Sequence, residues 1–191
     1  MPKGRVEAFS DGVIAILITI MVLDLKAPAS TSLDALRAVA PTFLTYVLSF
    51  IFLGIYWSNH HHLFHTVDRV NGRILWANLH LLFWLSLVPF MTGWMGEHSS
   101  ESSPTAAYGV VLLLAGASYL ILTRTIIAAG GPRSRLARAV GRDWKSILST
   151  ACYALGIGLS FAAPRIAQLI YFTVAMVWLI PDKRIESMAQ D

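Results

Sequence analysis

Two groups of residues carry the chemistry of this chain. The first is Arg5-x-x-x-Phe9-Ser10-Asp11, which places an arginine, a hydroxyl and a carboxylate at the head of an apolar run from Gly12 to Leu23. An ionisable side chain at the centre of a membrane helix costs about 2.5–3.5 kcal/mol, and less near its ends. Asp11 is therefore expected to face protein or water and to have a partner. Ionised, it only accepts hydrogen bonds, whereas Ser10 both donates and accepts. The second group is Asn59-His60-His61-His62-Leu63-Phe64-His65. His61 and His65 are four residues apart, so on a helix they share a face and have the spacing of a two-imidazole metal pair. No H-E-x-x-H string is present, so a metalloprotease would lack its general base. Structural polar packing is the first reading of the cluster and a contact titrating near pH 6–7 the second. No resident metal and no cofactor are expected. His80 reads as a satisfied interior histidine or as a partner of this cluster or of Asp11.

The elements that must position these groups are membrane helices. The chain has 191 residues, 55% of them hydrophobic and 14% charged, with a mean hydropathy of +0.60. That is the composition of a polytopic membrane protein. Six windows have the length of a span: about 7–26, 39–58, 73–95, 105–128, 145–162 and 164–181. Every backbone amide in lipid must be paired within its own segment, so the fold class is all-α, a single domain over residues 1–191 with six transmembrane helices. Ser32 is expected to cap a short lead-in helix before the second span. Pro104 suits the first turn of the fourth. Gly130-Gly131-Pro132 is expected to end the fourth, and Ala162-Ala163-Pro164 to break the fifth from the sixth.

Basic residues set the orientation. With both termini cytoplasmic, the inside holds Lys3, Arg5, Arg69, Arg73, Arg124, Arg133, Arg135, Arg138, Arg142, Lys145, Lys183 and Arg184, and the outside only Lys26, Arg37 and Arg165. This asymmetry predicts termini inside. The loop 130–145 is then a basic loop facing anionic lipid, and nucleic acid is not an expected partner. Trp57, Trp76, Trp94, Trp144 and Trp178 fall near span ends, as interfacial anchors do, while Trp84 is expected within the bundle. Glu7 and Asp11 interrupt any signal-peptide pattern in the first 29 residues, so cleavage there is not expected. The single cysteine, Cys152, permits no intrachain disulfide.

Ile16, Ile20 and Leu23 recur at i, i+4, i+7 and make one stripe of the first helix. Copies of that stripe around an axis would form rings of branched aliphatic side chains able to exclude water from a narrow pore. Thr19, on the adjoining face, would offer a hydroxyl to an ion or to the carbonyl four residues back. Gly12 and Ala15 would allow close helix approach. Spacing alone does not decide for a pore, because nearly every position from 13 to 23 is apolar. Lipid contact or core packing fits the same stripe.

The string Arg5-Val6-Glu7-Ala8-Phe9-Ser10-Asp11-Gly12-Val13-Ile14-Ala15-Ile16 resembles the start of prokaryotic homologues of the endosomal–lysosomal potassium channel family, of the transmembrane protein 175 type. Trp57-Ser58-Asn59-His60-His61, Asn78-Leu79 and Pro89-Phe90 look like further family features. The resemblance implies a homotetramer of six-span subunits in the bacterial inner membrane, with a central pore lined by the first helices. It places Ile16, Ile20 and Leu23 at the pore constriction and Thr19 at a polar, selectivity-related position. It implies conduction of monovalent cations with a preference for K+ and no enzymatic activity. The chain has no T-V-G-Y-G string, so selectivity cannot come from that carbonyl ladder. Ala15 stands where some members carry a hydroxyl, which argues for weaker selectivity. Arg5, Phe9, Ser10 and Asp11 would instead tie the first helix to its neighbours, with Asn59, His60 and His61 as candidate partners. The alternative is a proton-coupled secondary transporter using Asp11 and the span-two histidines, since buried acids and histidines form proton relays. Against it, the sequence shows one acid within the spans and no pair of broken helices.

Overall fold

The computed structural model describes residues 2–67, 69–131, 136 and 144–179. Seven helices are described: α1 Lys3–Leu23, α2 Leu33–His65, α3 Gly72–Ser86, α4 Val88–Glu97, α5 Ser102–Gly130, α6 Trp144–Leu159 and α7 Pro164–Leu179. Four segments have the length and hydropathy to cross a membrane: Lys3–Leu23, Leu33–His65, Gly72–Glu97 and Ser102–Gly130. With α6 and α7 the described helices make six segments, because α3 and α4 are the two halves of one.

The break between those halves has a local cause. Pro89 has no N–H to give to the carbonyl of Leu85, four residues back, so the regular ladder lapses. The Leu87 N–H reaches the carbonyl of Trp84 at 3.3 Å and the helix resumes with Met91 N–H donating to Leu87 at 3.1 Å. The third span, expected over about 73–95, is thus one segment, Gly72–Glu97, with this break inside it. A correction concerns the expected lead-in helix. Ser32 does cap a helix, its hydroxyl accepting from Ala35 N–H at 3.2 Å. That helix is α2 itself, which continues through Pro41 without a stop. At 1.5 Å per residue its 33 residues extend about 50 Å, well beyond a hydrocarbon core of about 30 Å. The whole histidine cluster is therefore helical and lies past the predicted end of the span.

Other boundaries follow their caps. Asn71 Oδ1 accepts from Ile74 N–H at 2.9 Å and starts α3. Gly131 ends α5 at φ +84°, a left-handed conformation that glycine adopts without a Cβ clash. Pro164 occupies the first position of α7, after the tight turn 160–163. Pro132, Arg133, Arg135, Arg138, Arg142, Lys183 and Arg184, and the predicted end of the last span at 181, lie outside the described residues.

Two clusters of buried side chains fill the bundle. One joins Ile14, Leu17 and Met21 of α1 to Leu53 and Phe64 of α2, Leu81 and Leu85 of α3, and Ala115 and Leu122 of α5. The other joins Phe52 of α2, Met95 of α4, Tyr108 of α5, Tyr153 of α6 and Tyr171 of α7. Helices α2 and α5 contribute to both, and α1 packs against α2, α3 and α4. The first helix therefore sits at one edge of the subunit.

Candidate functional site

Helix α1 has two unlike faces. Val6, Ser10, Ile14, Leu17 and Met21 recur every three or four residues and are buried against the subunit. Ala8, Phe9, Gly12, Ala15, Ile16, Thr19, Ile20, Val22 and Leu23 face away from it. Ile16 is 57%, Ile20 43% and Leu23 80% exposed, so none of the three belongs to the subunit's own core. A Cβ added at Gly12 would meet nothing within 4 Å. The smallness of that position is not demanded by packing inside the subunit. Thr19 also lies on this open face, and its hydroxyl donates to the Ile16 carbonyl at 2.9 Å, three residues back rather than four.

The buried face is fastened by a chain of hydrogen bonds. Ser10 Oγ donates to the Val6 carbonyl at 2.8 Å and accepts from Asn78 Nδ2 at 2.9 Å. Asn78 Oδ1 lies 2.7 Å from His60 Nε2. An amide oxygen only accepts, so His60 carries its proton on Nε2. Ser10, Asn78 and His60 are all buried, and the His60 ring stacks on Phe64 with centroids 4.4 Å apart. Three helices thus meet at one amide. In lipid a polar group has no water to fall back on, and side-chain hydrogen bonds between helices hold bundles together. Asn78 spends both ends of its amide in doing so.

The remaining sequence candidates take other partners. Asp11 Oδ1 accepts from Trp57 Nε1 at 3.1 Å, so its contact on α2 is the indole and not Asn59, His60 or His61. His61 stacks on that same Trp57, centroids 6.3 Å apart, and its Nε2 lies 3.1 Å from Nε2 of His65. The Asn59 carbonyl accepts from Tyr119 of α5 at 3.2 Å. Arg5 and Phe9 are exposed on the open side of α1. Lys3 Nζ reaches the carbonyls of Phe64 and His65, each at 3.4 Å, tying the start of α1 to the end of α2. His80 joins neither the cluster nor Asp11: it lies exposed on α3 and its Nε2 accepts from Trp84 Nε1 at 3.1 Å. Asp11 and His60 therefore stand in separate hydrogen-bonded pairs, which a relay through both would have to bridge. Among the described residues no three His, Cys, Asp or Glu side chains come together as a metal site.

With α1 fastened on one side and bare on the other, the likeness to known proteins can be placed on the geometry. The family described as Endosomal/lysosomal potassium channel TMEM175 matches residues 5–89, which hold the open face, Ser10, Asp11, Trp57, the histidines and Asn78. A protein of Chryseobacterium sp. (strain P1-3), named a potassium channel, is 53% identical over all 191 residues of both chains. The chain belongs to the TMEM175 family. Another relative, named a potassium channel of Streptomyces collinus, is 32% identical and is matched over 92% of this chain and 91% of its own. Among solved structures, a lysosomal potassium-selective channel TMEM175 homolog from Chamaesiphon minutus superposes with a TM-score of 0.79 at 26% identity, covering 93% of this chain and 96% of the other. TMEM175 proteins are ion channels and not enzymes, and this member is a multi-pass membrane protein of that fold.

Sequence reasoning named Ser10 and His60 but missed that Asn78 joins them. The signal was present. A lone amide inside Ile74–Leu85, between Ala77 and Leu79, is a polar group in a membrane segment and calls for a partner. Trp57 was missed as the partner of Asp11 because a tryptophan at a span end reads first as an interfacial anchor. A second buried chain of hydroxyls has weaker signals. Thr92 Oγ1 lies 2.6 Å from Ser49 Oγ, which lies 2.9 Å from the Tyr108 hydroxyl. Each is a common residue in an apolar run.

Proposed function

We propose that four copies of this chain surround a pore lined by the open face of α1, and that the pore conducts monovalent cations with a preference for K+. One observation carries the reading: α1 is latched to its own subunit through Ser10, Asn78 and His60 and turns Gly12, Ala15, Ile16, Thr19, Ile20 and Leu23 outward. Small residues on that face suit close approach of a second helix. Rings of Ile16, Ile20 and Leu23 would form stacked constrictions that open and close by wetting. Thr19 commits its proton to the Ile16 carbonyl, which leaves its oxygen lone pairs for a cation passing between the rings. Four subunits is the count that the family resemblance implies, and the K+ preference rests on the names of the relatives. Ala15 in place of a hydroxyl makes that preference modest. The asymmetry of basic residues supports cytoplasmic termini in a bacterial plasma membrane.

Purified protein in planar bilayers, under a gradient of K+ against Na+, tests this directly. Unitary currents reversing toward the K+ potential are expected. Saturable, proton-linked uptake without unitary events would contradict it. Ile20→Asn or Leu23→Asn should raise unitary conductance, because a polar group eases wetting of a dry ring. Unchanged conductance in both would move the constriction elsewhere. Native mass spectrometry reads the subunit count.

A further inference from the structure

The last two turns of α2 hold a feature that the pore reading does not use. His61 and His65 are both exposed, their rings lie 4.5 Å apart at 78°, and their Nε2 atoms approach to 3.1 Å. That contact is an N–H···N bond, so one Nε2 carries a proton and the other presents a bare lone pair. Moving that proton to Nδ1 of the same ring leaves both imidazoles neutral, with a lone pair on each of two Nε2 atoms 3.1 Å apart. With metal–nitrogen bonds of about 2.0–2.1 Å, a separation of 3.1 Å gives an N–metal–N angle of about 98°. Opening the pair by about 0.25 Å reaches the tetrahedral angle. Rotation of either ring by a few degrees supplies that.

The ring of His61 is held for the purpose. It stacks on Trp57 at 6.3 Å with an interplanar angle of 25°, and Trp57 is fixed in turn by its bond to Asp11. Helical continuity to His65 fixes the i, i+4 register, which the sequence-predicted span end at 58 did not require. The structure assigns to His61 and His65 a two-point chelate for a borderline divalent cation, of the class of Zn2+, Ni2+ or Cu2+, with water completing the coordination. Imidazole nitrogen selects these ions over Mg2+ and Ca2+, which prefer oxygen. The site belongs to a single subunit and stands whether or not α1 lines a pore.

The test uses the full chain in detergent, freed of any affinity tag. Titrating ZnCl2 should raise the melting temperature saturably, and MgCl2 at the same concentrations should not. Because one imidazole replaces a chelate in either variant, His61→Ala and His65→Ala should each weaken the apparent Zn2+ affinity at least about tenfold. His62→Ala should retain the wild-type response. Electron paramagnetic resonance of the Cu2+-loaded wild-type chain should show two equivalent nitrogen ligands, a readout that requires no folded variant. A Zn2+ response that survives both single substitutions would overturn the assignment, as would a Cu2+ spectrum with fewer than two nitrogens.

Discussion

The junction that holds α1 and the junction that holds α7 solve one problem differently. Lipid tails are as apolar as leucine, so helices in a bilayer gain little by burying apolar surface against each other. At α1 the glue is polar: Ser10, Asn78 and His60 share two interhelical contacts of 2.9 and 2.7 Å. At α7 the glue is close approach. The Tyr171 ring packs closely against glycines of two other helices, Gly109 of α5 and Gly156 of α6. A Cβ at Gly156 would sit 2.5 Å from Tyr171 Cε1, and one at Gly109 would overlap the Tyr171 hydroxyl. That hydroxyl still finds the Thr105 carbonyl at 3.3 Å. The first arrangement fixes the rotation of α1 about its axis, and so decides which residues face out. The second fixes the distance of α7 from α5 and α6.

The largest expected effect breaks the close-packed side. Gly109→Ala or Gly156→Ala drives a methyl into a rigid ring with no room to yield, and should destabilise the detergent-solubilised subunit by about 1–3 kcal/mol, read as a lower melting temperature. Removal of the polar latch comes next. Asn78→Ala removes the bridge from Ser10 and leaves the His60 Nε2 proton without an acceptor in the interior, with an expected loss of about 1–2 kcal/mol. It should also change conduction, because α1 is then free to rotate. Lower melting with unchanged currents would show that the latch is not what orients α1.

Gly12→Ala sharpens the contrast between glycines. Open space surrounds Gly12 inside the subunit, so alanine there should leave subunit stability unchanged or raise it by up to about 1 kcal/mol through better helix propensity. The loss should fall instead on the fraction of assembled oligomer in native mass spectra. A destabilised subunit with intact assembly would place the close contact within one chain. The smallest effect is at the far end, where Lys26 Nζ meets Glu97 at 2.6 Å with both side chains exposed. The hydrogen bond and charge of Glu97 raise the Lys26 pKa above 10.5. Its small stabilisation is therefore present below that pH and fades as pH rises through the raised value. Lys26→Ala should shift melting detectably only at low salt and below pH 10, since exposed pairs are screened.

Most of the architecture was legible because membranes permit so few folds. Apolar run lengths located the helices to within a few residues at most ends, and Ala162-Ala163-Pro164 marked the α6–α7 turn. Two features escaped. The third span reads as one apolar run, and only the missing N–H of Pro89 breaks it at Leu87. The start of α2 reads as a short lead-in element capped by Ser32, yet the helix that Ser32 caps runs on through Pro41 to His65. At the site, residue types announced which groups needed partners, since Ser10 and Asp11 head an apolar run, Asn78 lies inside one, and His60 sits in a histidine cluster at the end of another. They did not announce who pairs with whom. Asp11 choosing Trp57 depends on the rotation of α1 against α2, and His60 choosing Asn78 on that of α2 against α3, which a pattern of types alone does not encode.

The central claim is that the bare side of α1 faces a shared conduction path. Single-channel recording of Ile20→Cys in a Cys152→Ser background, before and after a positively charged thiol reagent, tests it most directly, with Phe43→Cys, on an exposed face of α2, as the control. The account predicts that the reagent abruptly reduces unitary current at position 20 and leaves it unchanged at position 43. Unaltered current at position 20, with modification verified by intact mass, would contradict it.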